Sequence, residues 1–147
     1  MSSSCSEDAE VQFMVVIETK KCSKSRDGIA VQIFTSQGLI SVNGQQIWIN
    51  GWELEASRDL GNGSVKIQIS QSETTIELYN EITVTFSRSG DIQITVKEKL
   101  SGKICGPCGN FNRDSNDDLR LKTGEVSSDI SSTIRSWIAK HLSPCLV

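Results

Sequence analysis

The densest chemistry in the chain lies in one run, Cys105-Gly106-Pro107-Cys108-Gly109-Asn110-Phe111-Asn112-Arg113-Asp114-Ser115-Asn116-Asp117-Asp118. Two thiols in a Cys-x-x-Cys spacing suit thiol-disulfide exchange or, joined by His141 and Cys145, a soft metal such as zinc. Asn110, Asn112, Asp114, Asp117 and Asp118 supply hard oxygens of the kind calcium takes. The same residues suit Asx turns that bond their own backbone. An EF-hand is excluded, because the sixth position from Asn110 is Ser115 rather than Gly and the twelfth is Leu121 rather than Glu.

Each chemistry demands its own scaffold. A redox Cys-x-x-Cys opens a helix inside a β-α-β frame, where the helix N-terminus lowers the thiol pKa. Here Gly109, Asn110 and Asn112 follow and would break such a helix, so a thiol-disulfide oxidoreductase at Cys105/Cys108 is the alternative and not the leading reading. Zinc fingers space their ligand pairs far more closely than Cys108 and His141 stand. His141 is the only histidine, which leaves a hydrolytic triad without a plausible base; near a helix C-terminus it reads as a cation favourable to the helix dipole.

The elements that must position this run are strands. Apolar residues alternate with polar ones at Val11/Phe13/Val15/Ile17, Ile29/Val31/Ile33, Val65/Ile67/Ile69, Ile76/Leu78, Ile82/Val84/Phe86 and Ile92/Ile94/Val96. Asn43-Gly44 between Leu39-Ile40-Ser41 and Ile47-Trp48-Ile49 predicts a type I′ hairpin. Trp48 is expected in the core. The fold class is all-β, a sandwich of two antiparallel sheets with an Asn/Asp-rich loop and one short C-terminal helix. Strands are assigned to 5–104, the loop to 105–124 and the helix to 129–142, within a single domain over 1–147. Ile130, Ile134, Trp137, Ile138 and Leu142 recur at helical spacing, with Ser128 or Asp129 as N-cap and Pro144 as a stop, and this helix is expected to pack onto the sheets with Trp137 as an anchor.

Composition narrows the function. The 147 residues carry 15 basic and 18 acidic side chains, a net charge of -3 without a clustered basic footprint, which excludes nucleic acid and anionic membranes as partners. No apolar segment is long enough for membrane insertion. Five cysteines (Cys5, Cys22, Cys105, Cys108, Cys145) cannot all pair within one chain. Asn62-Gly63-Ser64 is an N-glycosylation acceptor in a turn. The N-terminus lacks the basic and apolar regions of a secretion signal, so a fragment or processed form is expected.

The Cys105–Asp118 run resembles the Cys-Gly-x-Cys-Gly-Asn-Phe/Tyr-Asn-Gly-Asp-x-x-Asp-Asp signature of von Willebrand factor type D domains. The strands upstream, the spacing from Cys5 through Phe13 to Cys22, and Ser136-Trp137 ahead of Cys145 are similar to that family too. The family's opening strands, with a His/Phe-Asp-Gly motif and two more cysteines, have no counterpart before Cys5, so the domain is expected to be N-terminally truncated. The resemblance implies a Cys5–Cys105 disulfide and an unpaired or intermolecular Cys22; a rearranged pairing of Cys108 and Cys145 is left open and is not implied by it. Closing so long a loop would contribute about 4 to 5 kcal/mol in the chain-entropy model. It also implies calcium at Asn110, Asn112, Asp114, Asp117 and Asp118. The function implied is that of a secreted, non-enzymatic module for adhesion or disulfide-linked assembly, partnered by other extracellular proteins or copies of itself.

Overall fold

The computed structural model describes residues 2–4, 13–18, 30–44 and 46–137. Twelve strands appear in chain order: β1 (Ser2–Ser4), β2 (Phe13–Glu18), β3 (Ala30–Thr35), β4 (Gly38–Asn43), β5 (Gln46–Ile49), β6 (Trp52–Glu53), β7 (Arg58–Leu60), β8 (Val65–Ile69), β9 (Glu73–Leu78), β10 (Ile82–Ser87), β11 (Ile92–Val96) and β12 (Ile104–Cys105). Two short 3-10 turns, Glu98–Leu100 and Ser115–Asp117, and one α-helix, α1 (Ile130–Ser136), complete the described elements. The strands form two antiparallel sheets, ordered β12-β1-β2-β3-β4-β5-β6 and β11-β10-β9-β8-β7.

Alternation dictates which side chains meet. Val15, Val31, Ile33, Ile40 and Val42 of the first sheet and Val65, Ile67, Ile76 and Val84 of the second are removed from solvent in one shared cluster. Each such branched side chain stabilises the fold by about 1.5–3 kcal/mol when fully buried. These are the residues that the period-two pattern marks. The pattern's outer members, Ile17 (39% exposed) and Ile94 (37%), face the same way but are left partly open to water.

Three local expectations differ from the structure. Asn43 is paired with Gln46 as the last residue of β4, so the turn begins at Gly44, whose φ is 61°. A two-residue turn with both residues left-handed instead sits at Asn50 (φ 51°) and Gly51 (φ 85°), between the paired Ile49 and Trp52. Asn50 also closes the far side, since Leu39 N–H donates to its Oδ1 at 2.9 Å. Trp48 is only half-buried and lies outside the core cluster: Ile47 and Ile49 face Val42 and Ile40, so Trp48 points to the other face, opposite Ser41 and Glu53. Strands also extend past the 5–104 limits, with β1 ahead of Cys5 and β12 ending on Cys105. Three consecutive serines carry no apolar alternation by which a strand could be read.

Candidate functional site: the loop from Cys105 to Trp137

β12 delivers the loop. It pairs with β1, Ser3 opposite Cys105 and Ser4 opposite Ile104, at the edge of the first sheet. Cys105 is disulfide-bonded, whereas Cys108 is an exposed free thiol, so these two are not joined to each other. After Cys108 the chain enters only a single 3-10 turn, Ser115–Asp117, before the α-helix at Ile130, among the described residues. The helix N-terminus that activates a redox Cys-x-x-Cys is therefore not next to this one. Cys105 is likewise withheld from a zinc site, and Cys5, Cys22, His141 and Cys145 lie outside the described residues, as do Val11, Ile29, Ile138 and Leu142.

The oxygen-rich stretch is built as a ladder of Asx turns. Asn110 Oδ1 accepts from Asn112 N–H (3.3 Å), Asn112 Oδ1 from Asp114 N–H (2.8 Å), and Asp114 Oδ1 from Asn116 N–H (3.0 Å). The intervening Phe111 and Arg113 take left-handed φ of 56° and 68°, which winds the loop tightly. Ser101 Oγ donates to Phe111 O at 2.8 Å and Arg113 pairs with Glu98 at 2.6 Å, tying the ladder to the turn that follows β11.

Asp117 is the hub. Its carboxylate accepts from Asn110 Nδ2 (3.0 Å), Asn112 Nδ2 (3.1 Å) and Arg120 Nη2 (2.7 Å). The Arg120 guanidinium first, then the Asn112 and Asn110 amides, hold its carboxyl below the usual carboxylate range, while partial desolvation pulls the other way. Asp118 lies beside Gly109: a Cβ there would stand 2.4 Å from Asp118 Oδ1, and the Gly109 φ of 91° is itself left-handed. Gly109 is thus required twice over, by backbone conformation and by space.

Of the residues expected to hold calcium, Asn110, Asn112 and Asp114 use their Oδ1 atoms in the Asx turns, and Asp117 is engaged by Arg120. An ion on Asp117 would have to displace a guanidinium, and the two asparagines turn amide hydrogens, not oxygens, toward that carboxylate. Among the described residues, no three His, Cys, Asp or Glu side chains gather closely enough to hold a metal. The alternation that suits hard-cation ligands is here used by the Asx turns. Arg120 went unread in the sequence, although its i,i+3 spacing from Asp117 is the signal that finds it.

Arg120 carries the loop into the last element. Its Nη1 donates to Gly124 O at 2.9 Å, and its backbone bridges Val126 in a small hairpin. Helix α1 docks on that hairpin: Trp137 Nε1 donates to Arg120 O (2.9 Å), Thr133 Oγ1 reaches Leu119 O (3.4 Å), and Lys122 N–H donates to Ser136 Oγ (3.0 Å). Asp129 caps the helix, accepting from Ser132 N–H at 2.8 Å and Ser132 Oγ at 2.6 Å. Thr133 and Trp137 are buried, as expected for Trp137, but Ile130 (62%) and Ile134 (51%) are exposed. Among the described residues, the inward face of α1 is therefore not the apolar stripe, and its hydrogen bonds go to the hairpin. Asn62 sits exposed in the β7–β8 turn with φ 55°.

The family model for the von Willebrand factor type D domain matches residues 1–125. The chain belongs to the von Willebrand factor type D family. As a type D chain it is 26% identical to alpha-tectorin of Mus musculus over 140 residues, 93% of this chain and 6% of that protein. It is 24% identical to the IgGFc-binding protein of Homo sapiens over 136 residues, 90% of this chain and 2% of that protein. Zonadhesin of Mus musculus is 30% identical over 80 residues, 54% of this chain and 2% of that protein. This type D chain spans only a few per cent of the length of these relatives. Among the described residues, no helix is long and apolar enough to cross a membrane.

Proposed function

We propose that this chain is a non-catalytic, extracellular interaction module that serves adhesion or assembly. The observation that carries the reading is family membership across residues 1–125, whose signature run forms a hydrogen-bonded scaffold in place of a reactive cleft. Relatives such as alpha-tectorin and zonadhesin support the same role, and their length fits a domain repeated or embedded in larger chains. Extracellular proteins or copies of this chain are the partners.

Within that role, Cys5 is the proposed mate of Cys105. What supports the pairing is that β1, which ends at Ser4 one residue before Cys5 in the sequence, is bonded to β12, which carries Cys105 opposite Ser3. Cys108, exposed and free, and Cys22 are the thiols proposed for links to another chain. Asn62 is the proposed glycan acceptor, on an exposed turn. Calcium at Asn110, Asn112, Asp114, Asp117 and Asp118 stays a proposal beside the Arg120–Asp117 ion pair that ties the same loop.

Expression in a secretory host tests the reading. The expected product is secreted, loses mass on glycosidase treatment unless Asn62 is replaced by Gln, and does not reduce insulin in a dithiol assay. Insulin reduction that disappears with Cys108→Ser would favour the oxidoreductase instead.

A further inference from the structure

Among the described residues, the second sheet has one undefended edge. β11 runs Ile92-Gln93-Ile94-Thr95-Val96 along it, without charge, proline or glycine. The opposite edge, β7, has three residues and carries Arg58 and Asp59, and the end strands of the first sheet, β12 and β6, have two residues each. Short strands and edge charges are the usual protections against strand addition, and β11 has neither.

The register shows which groups are offered. Ser87 N–H donates to Asp91 O (3.0 Å) and Lys97 N–H to Glu81 O (2.9 Å), which fixes Asp91, Gln93, Thr95 and Lys97 as the residues bonded to β10. The N–H and C=O groups of Ile92, Ile94 and Val96 therefore point outward. Their side chains face the core side, where Ile94 is 37% exposed although Val84, its partner on β10, is fully buried.

We propose that β11 pairs antiparallel with β11 of a second copy, centred on Ile94, to join two five-stranded sheets into one. Overlapping the strands along their full length sets Ile94 against Ile94, Ile92 against Val96 and Gln93 against Thr95 of the second copy. All three outward-facing residues then meet outward-facing partners, and the apolar row becomes continuous across the two-fold axis. The same register sets Asp91 opposite Lys97 of the second copy, twice. A parallel arrangement would place like charges side by side, so charge selects the antiparallel pair. This deepens the assembly reading given above but is separable from it, because the contact needs no thiol.

The test is sedimentation of the oxidised chain with its free thiols alkylated, across a concentration series. The wild type is expected to dimerise, and Ile94→Lys to be monomeric with unchanged circular dichroism. Asp91→Lys alone and Lys97→Asp alone are each expected to weaken the dimer by about tenfold. Mixed in equal amounts, these two variants restore it, since each charge then meets its opposite across the interface. A wild type that stays monomeric throughout, a dimer indifferent to Ile94→Lys, or a mixture that remains monomeric overturns the proposal. Alkylating the free thiols before the protein is concentrated prevents new intermolecular disulfides, so a dimer that forms in the alkylated protein and runs as a monomer on a non-reducing denaturing gel separates this contact from covalent assembly.

Discussion

Asp117 and Arg120, three residues apart, bond through Oδ2 and Nη2 at 2.7 Å, and the same guanidinium reaches Gly124 O. One side chain thereby neutralises the carboxylate at the centre of the Asx ladder and pins the hairpin on which α1 rests. The chain supplies its own cation to the loop.

Arg120→Ala is expected to lower the melting temperature by several degrees and to loosen Trp137, visible as a red shift in fluorescence. Arg120→Lys does not restore it, because an ammonium cannot fork between Asp117 and Gly124. For the wild type, a melting temperature raised by millimolar calcium and lowered by a chelator would support the calcium proposal. A melt indifferent to both would overturn it.

Gly109→Ala must place a methyl group against Asp118 and hold a side chain at φ 91°. A cost of about 1–3 kcal/mol is expected from the conformation alone, read as a lower denaturant midpoint with an unchanged slope. Gly51→Ala, at φ 85° with open space around it, isolates the conformational part.

Asp129 gives the fold an acid-sensitive joint. The Ser132 hydroxyl, then the Ser132 and Ser131 N–H groups, hold its carboxyl below the usual range. A depressed folded-state pKa means a contribution that is complete above the unfolded value and lost as pH falls through the folded one. Asp129→Asn, which keeps a capping oxygen, is expected to be slightly less stable at neutral pH. The gap should close below pH about 4. A gap that widens on acidification would contradict the assignment.

Ile130→Gln and Ile134→Gln are expected to change stability by less than about 0.5 kcal/mol, as exposed positions do. Trp137→Phe, which leaves Arg120 O without its donor, should cost about 1–3 kcal/mol. The reverse order would show that the helix packs by its isoleucines after all.

The sheets were legible because burial in a sandwich imposes a period of two, which the buried positions of β8, β9 and β10 obey within each strand. Trp48 was misplaced because size suggests burial, whereas parity with Ile47 and Ile49 decides the face. The outward turn of Ile130 and Ile134 was hidden because α1 docks through hydrogen bonds of Thr133 and Trp137 to a hairpin that has no periodic signature. At Asn110 to Asp118 the residue types were read correctly as oxygen-rich, but both a cation and a set of Asx turns use that spacing. Only the position of Arg120 separates them, and it depends on a contact made in three dimensions.

The cysteine framework ties the module together, and a non-reducing peptide map of secreted protein, with free thiols alkylated before digestion, reads it most directly. A Cys5–Cys105 bridge with Cys108 recovered as an alkylated thiol is the predicted result. A Cys105–Cys108 bridge, or five alkylated cysteines, would contradict a disulfide-tied type D module and return the Cys-Gly-Pro-Cys run to redox chemistry.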